Sequence, residues 1–167
     1  MLTTVYSAGL YGIDGYIVSV ECNAQSKIPE FNLVGLPDLA VKEAKERVRA
    51  ACENSGFPFP GLCVTVNLAP ADLRKEGPVY DLPILLGILL CSGGLKRLPP
   101  DAAFIGELSL TGALRGVSGV LPMAIAAREA GIRQLFVPAE NAAEATLAGD
   151  LTVYGVPDVK ALVAHFN

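Results

Sequence analysis

A mixed α/β (α+β) fold is predicted by three observations. The first 36 residues carry strand formers punctuated by glycine. From there to the end, strand-like and helix-like segments alternate. The apolar fraction, 51 %, is enough to fill a large core. N-terminal β-strands followed by alternating β and α imply helices packed on a sheet. At 167 residues the chain has the length of one domain and can bury a core without metal or disulfide support. No repeat, low-complexity stretch or linker divides it, so residues 1–167 read as a single domain.

Val5, Ile13, Ile17, Val18 and Val20 are strand formers, with Gly9, Gly12 and Gly15 between them. Residues 16–21 alternate as a half-buried strand does, and 31–36 form a short third strand. Pro37-Asp38 then opens a helix that Asp38 can cap. Val41, Ala44, Val48, Ala51 and Cys52 recur at helical spacing, with Lys42, Lys45, Glu46 and Arg49 largely opposite; Gly56 and Pro58 stop it. Residues 62–68 are a strand that runs into the loop 69–78. Asp81 is expected to cap the apolar helix 82–92, which Gly93-Gly94 closes. Segments 104–110 and 113–116 suggest a hairpin turning through Thr111-Gly112. A helix over 120–130 has Pro122 in its first turn and Gly131 after its end. Strand 134–137, short helix 139–145, strand 151–154 and a final helix 156–166 complete the pattern.

Only 18 % of residues are charged, against roughly 25 % in an ordinary soluble domain. Either the core is large and well filled, or some apolar surface meets a partner or another domain. A net charge of −4 argues against strong nonspecific nucleic-acid binding, though it leaves room for a local basic patch. Cys22, Cys52, Cys63 and Cys91 lack zinc or secreted-framework spacing and read as reduced, buried thiols of a cytoplasmic protein. No signal peptide is visible. The longest apolar run, 82–91, is about half the ~20 residues of a membrane span, so it reads as a core helix and no membrane partner is expected.

Chemistry is sparse. A phosphate-cradling G-x-x-x-x-G-K-[ST] segment is absent, and the glycine-rich run 112–119 has no lysine and reads as turn glycines. The one histidine, His165, sits three residues from the end, where a surface position is expected. Glu43 and Glu46 lie beside Lys42 and Lys45 on a solvated helix face. No cluster suits a metal.

Three segments are specific in combination: residues 31–51, 64–77 and 80–84, with Tyr6-Ser-Ala-Gly-Leu10 in support. Together they resemble the N-terminal domain of the ComM/YifB group of Mg-chelatase-like AAA+ ATPases. A second, more distant similarity runs through 106–119 and Phe136-Val-Pro-Ala-Glu-Asn141, which resemble the proteolytic domain of Lon. The implied fold is Lon-protease-like, the type of ribosomal protein S5 domain 2. In Lon-like proteases a Gly-Pro-Ser-Ala-Gly segment supplies the nucleophile, and a lysine beyond a Gly-Gly turn is its base. Gly77-Pro78 matches the first two residues. The serine position then falls on Val79 and the lysine position on Met123. Hydrocarbon and thioether cannot replace hydroxyl and amine, so no catalytic residue is carried over. Ser118 is the nearest hydroxyl, without a matching role.

The resemblance further implies a bacterial parent protein with an AAA+ domain downstream and absent from this chain. That domain would bind ATP and Mg²⁺, assemble as a ring (expected to be a hexamer) and act as a DNA helicase in branch migration during natural transformation. The present domain would serve assembly or DNA guidance, its partners being the downstream AAA+ domain, neighbouring subunits and DNA. Candidate DNA or partner contacts are Lys42, Lys45, Arg47, Arg49, Arg74 and Lys75. The helix start at Asp81 behind Gly77-Pro78 could also hold an anion, although simple capping explains it. Two alternatives stand beside this reading: a stand-alone nucleic-acid-binding module, and an active Ser–Lys peptidase.

Overall fold

The computed structural model describes all 167 residues. Nine strands and six helices form a seven-stranded sheet of order β3-β4-β2-β1-β5-β8-β9 and a separate two-stranded ribbon, β6-β7. β1 (Leu2–Tyr11) and β2 (Asp14–Gln25) pair antiparallel along their whole length, from Leu2 opposite Asn23 to Tyr11 opposite Asp14. β2 also pairs antiparallel with β4 (Cys63–Ala69), and β3 (Glu30–Val34) lies parallel on β4. On the other side β5 (Ala102–Phe104), β8 (Gln134–Pro138) and β9 (Thr152–Val156) continue parallel from β1. Parallel neighbours need crossovers, and helices supply them. α1 (Leu39–Lys42) and α2 (Ala44–Asn54) link β3 to β4; α4 (Val120–Glu129) lies between β5 and β8; α5 (Ala142–Thr146) links β8 to β9.

The two faces of β2 receive different helices. Gly87 of α3 (Asp81–Ser92) comes so close to Cys22 that an added Cβ would lie 3.1 Å from the Cys22 Cβ. A Cβ on Gly15 would lie 2.3 Å from the carbonyl oxygen of Pro122, in α4. Residues 15 and 22 have opposite parity on an unbroken strand, so α3 and α4 sandwich it. α3 is buried on every side from Asp81 to Leu89, as an apolar helix in the middle of a core should be. Each of its buried leucines and isoleucines, Leu82 to Leu89, contributes about 1.5–3 kcal/mol by leaving water.

Both composition readings have a counterpart. A single cluster of 42 buried apolar residues fills the interior. Ile13, Ile28, Leu39 and Leu147 are nonetheless each at least 74 % exposed. No helix is long and apolar enough to cross a membrane.

Local departures from the predicted elements have identifiable causes. Asp38 does cap, accepting from the Val41 N–H at 2.8 Å, but the following helix breaks at Glu43 into α1 and α2. The expected strand 104–110 divides at Gly106. Ile105 still donates to the Phe136 carbonyl, whereas Gly106 donates to Val79 and leaves the sheet. β6 (Glu107–Leu108) then pairs with β7 (Leu114–Arg115). The last helix, α6 (Val159–Phe166), begins later than expected, because the Asp158 carboxylate accepts from the Ala161 N–H and fixes the start.

Asp81 does not cap α3. Pro78, Val79 and Tyr80 form a 3-10 turn that leads into the helix, with Tyr80 at the cap position. The Asp81 side chain instead points inward and is wholly buried.

Candidate functional site

A cavity of about 560 Å³ opens where the loop after β4 meets the start of α4. Val79 and Met123 both line it, together with Leu10, Val117 and Ser118. Val79 is 8 % exposed and Met123 is fully buried. Asp38, Glu76 and Glu107 add carboxylates to the lining, and no lysine or arginine does.

Each wall is held by local chemistry. Gly77 adopts φ +78°, a left-handed conformation that glycine accepts without strain, and Pro78 follows at the first position of the 3-10 turn. Asp38 fastens this loop to α1: one carboxylate oxygen accepts from Val41 and the other from the Gly77 N–H at 3.2 Å. On the opposite wall Gly119, at φ +79°, turns the chain into α4 and so places Met123 one turn inside. A Cβ on Gly119 would lie 2.4 Å from Leu10 Cδ1. The glycine run 112–119 is therefore used in turning and in packing against its own domain. Gly116 donates its N–H to Glu140, and the Asn141 side chain both accepts from the Val117 N–H and donates to its carbonyl.

Two residues after Val79, Asp81 takes part in an ion pair that the sequence did not announce. Arg47 Nε donates to Asp81 Oδ2 at 2.6 Å and Nη2 donates to Oδ1 at 3.1 Å, while Nη2 also reaches the Ala40 carbonyl at 2.7 Å. Asp81 Oδ2 further accepts the Leu108 N–H at 3.0 Å. Burial pushes the Asp81 carboxyl up from its ordinary value, and the Arg47 hydrogen bond pulls it back. Arg47 is raised, chiefly by its hydrogen bond to Asp81. Charged spacing in a helix followed by a carboxylate at the next helix start was the available signal, but it does not say that the two meet.

The six candidate contact residues therefore divide. Arg47 is engaged with Asp81 and is mostly covered. Lys75 is fully buried, its ammonium donating to the carbonyls of Gly35, Pro70 and Leu73. Burial lowers its pKa. Neither side chain is free to meet a phosphate, which corrects that expectation. Arg49 is exposed, with its guanidinium over the Phe59 ring at 4.2 Å. Lys42 and Arg74 are exposed and Lys45 is half-buried. The acidic Glu43 lies within 3.8 Å of Arg47, and Glu76 within 3.9 Å of Arg74. His165 sits exposed near the end of α6, against the rings of Tyr154 and Phe136. Ser118 is an exposed residue of the cavity wall.

The family described as subunit ChlI of Mg-chelatase matches residues 20–141. Competence protein ComM of Haemophilus influenzae is 43 % identical over 167 residues, 99 % of this chain and 33 % of that protein. YifB of Salmonella typhimurium is 45 % identical over 147 residues, 87 % of this chain and 29 % of that protein. A Lon protease of Citrifermentans bemidjiense is 29 % identical over 135 residues, 76 % of this chain and 17 % of that protease. The chain thus spans about a third of the length of its ComM and YifB relatives.

Proposed function

The chain belongs to the Mg-chelatase subunit ChlI family, and from that premise we propose that it is the catalytically silent, Lon-like accessory domain of a Mg-chelatase-like AAA+ ATPase of the ComM/YifB group. The observation that carries the proposal is the convergence of Val79 and Met123 on one cavity. They come from segments 44 residues apart in the chain (123 − 79). In Lon-like proteases the corresponding positions hold the nucleophilic serine and its lysine base. Here the cavity keeps the position and loses the chemistry: an isopropyl group cannot attack a carbonyl and a thioether cannot take a proton. No lysine lines the cavity beside Ser118, and Lys75 spends its ammonium on backbone carbonyls.

The parent protein then carries ATP and Mg²⁺ in an AAA+ domain downstream of this one and assembles as a hexameric ring in the cytoplasm. Its work is the movement of DNA branch points, and the present domain contributes to ring assembly or to guiding the DNA. The name of the Haemophilus relative, a competence protein, supports that direction. Of the six candidate contacts, Lys42, Lys45, Arg49 and Arg74 remain able to face a partner, and interleaved glutamates favour a protein neighbour or a glancing phosphate contact over a deep DNA groove. The test is ATP hydrolysis and branch migration by the full-length protein, with and without residues 1–167. ATPase activity retained by the truncated protein, with branch migration lost, is the expected result. Peptide hydrolysis that requires residues 1–167 would overturn the proposal.

A further inference from the structure

Cys22 and Cys91 face each other with their sulfurs 3.7 Å apart. They are 69 residues apart in sequence, so the way α3 lies across β2 makes the contact. Gly87, one turn before Cys91, is what allows the helix to lie so close to Cys22. The two thiols differ in access: Cys22 is fully buried in the sheet, and Cys91 is half-buried on the last turn of α3. Thr3 Oγ1 stands 3.5 Å from the Cys91 sulfur, and the carbonyls of Met1 and Cys22 stand 3.6 Å away. The charged group acting on the pair is the Met1 ammonium, held by the Ala24 carbonyl at 2.8 Å; no carboxylate contributes.

We propose that Cys22 and Cys91 form a peroxide-responsive pair, in which Cys91 takes the oxidant and Cys22 resolves it into a disulfide joining β2 to the end of α3. Access assigns the roles, because a small oxidant reaches Cys91 while Cys22 is shut inside. The Cys91 thiolate attacks one oxygen of hydrogen peroxide. The O–O bond breaks, hydroxide leaves and is protonated to water, and Cys91 is left as the sulfenic acid. The Cys22 sulfur then attacks the Cys91 sulfur. An S–S bond forms, the S–O bond breaks, and the departing hydroxide takes the Cys22 proton as the second water. The two thiols lose two electrons and the peroxide gains them. The sulfurs must close from 3.7 Å to ~2.05 Å for the bond to form. The contact with Cys22, helped by Thr3, lowers the Cys91 pKa and so favours the thiolate on the accessible sulfur.

The test treats the purified 167-residue chain with hydrogen peroxide and counts free thiols in denaturant. Reactive thiols should fall from four to two, the mass should fall by about 2 Da, and a proteolytic digest should join the peptides holding residues 22 and 91. A reductant should restore all four. In a Cys52→Ala/Cys63→Ala background the thiols should fall from two to none, and Cys22→Ala should leave a trappable sulfenic acid at Cys91. Four thiols unchanged would overturn the proposal. So would over-oxidation of Cys91 without linkage, a gain of about 32 Da, or a disulfide only between chains.

Discussion

Arg47 meets Asp81 through two parallel hydrogen bonds, 2.6 and 3.1 Å long, and so ties α2 to the first residue of α3, two residues after the Val79 that lines the cavity. Asp81 is the buried partner and has one other donor, the Leu108 N–H. The pair fixes the start of the most buried helix in the protein.

Removing the guanidinium strands that carboxylate. Arg47→Met should cost about 3–5 kcal/mol in urea unfolding, because breaking a buried pair leaves an uncompensated charge. Arg47→Met/Asp81→Leu should recover much of the loss. A single substitution costing under about 1 kcal/mol would show the pair to be ornamental.

Lys75 should behave as a structural residue. Lys75→Met leaves the carbonyls of Gly35, Pro70 and Leu73 without their shared donor, at about 1–3 kcal/mol for a buried group left unpaired. For the full-length protein on DNA it should leave the salt dependence unchanged. Lys42→Gln or Lys45→Gln should reduce the log–log salt slope by about 1 if that lysine meets a phosphate. A reduced slope with Lys75→Met and unaltered stability would place that ammonium at the surface.

Glycine positions can be ranked by what a Cβ would strike. Gly15→Ala sets a methyl 2.3 Å from the Pro122 carbonyl oxygen and must push α4 off β2; about 1–3 kcal/mol is expected. Gly61→Ala meets nothing within 4 Å and should be neutral or slightly stabilising. Equal thermal midpoints for the two variants would contradict the packing of α4 described above.

Thiol reactivity should separate by pH. A thiol reacts as thiolate, which predominates above its pKa. Cys91, lowered chiefly by the contact with Cys22, should be alkylated by iodoacetamide at a lower pH than an ordinary thiol. Cys52, pushed up to about 11 by burial, should stay inert at neutral pH while the chain is folded. Quantitative mass spectrometry of the alkylated peptides across pH decides it, and equal rates at neutral pH would contradict the contact between Cys22 and Cys91.

The fold class and most elements were legible in the sequence because periodicity reports burial. Val18, Val20 and Cys22 alternate on one face of β2, and the unbroken apolar run of α3 announced a helix buried on all sides. The Lon relative agrees with the mixed α/β architecture expected from the back half of the chain. What stayed hidden depends on tertiary partners. Asp81 has the residue type and position of a cap, and only the arrival of Arg47 from another helix draws its side chain inward. Lys75 sits in a polar loop beside Arg74 and Glu76, yet the fold of that loop brings three carbonyls around its ammonium. Local pattern carries no term for either event. Cys22 and Cys52 are the buried thiols the sequence led us to expect, whereas Cys63 and Cys91 are only half-buried, and nothing local made Cys22 and Cys91, 69 residues apart, neighbours.

Whether the Val79–Met123 cavity is chemically silent is decided by incubating the folded chain with a fluorescently labelled unfolded protein. The expected result is no release of peptide above a protein-free control, with Ser118→Ala indistinguishable from the unaltered chain. Release that proceeds with multiple turnovers and disappears in Ser118→Ala would mean that the cavity holds a working nucleophile.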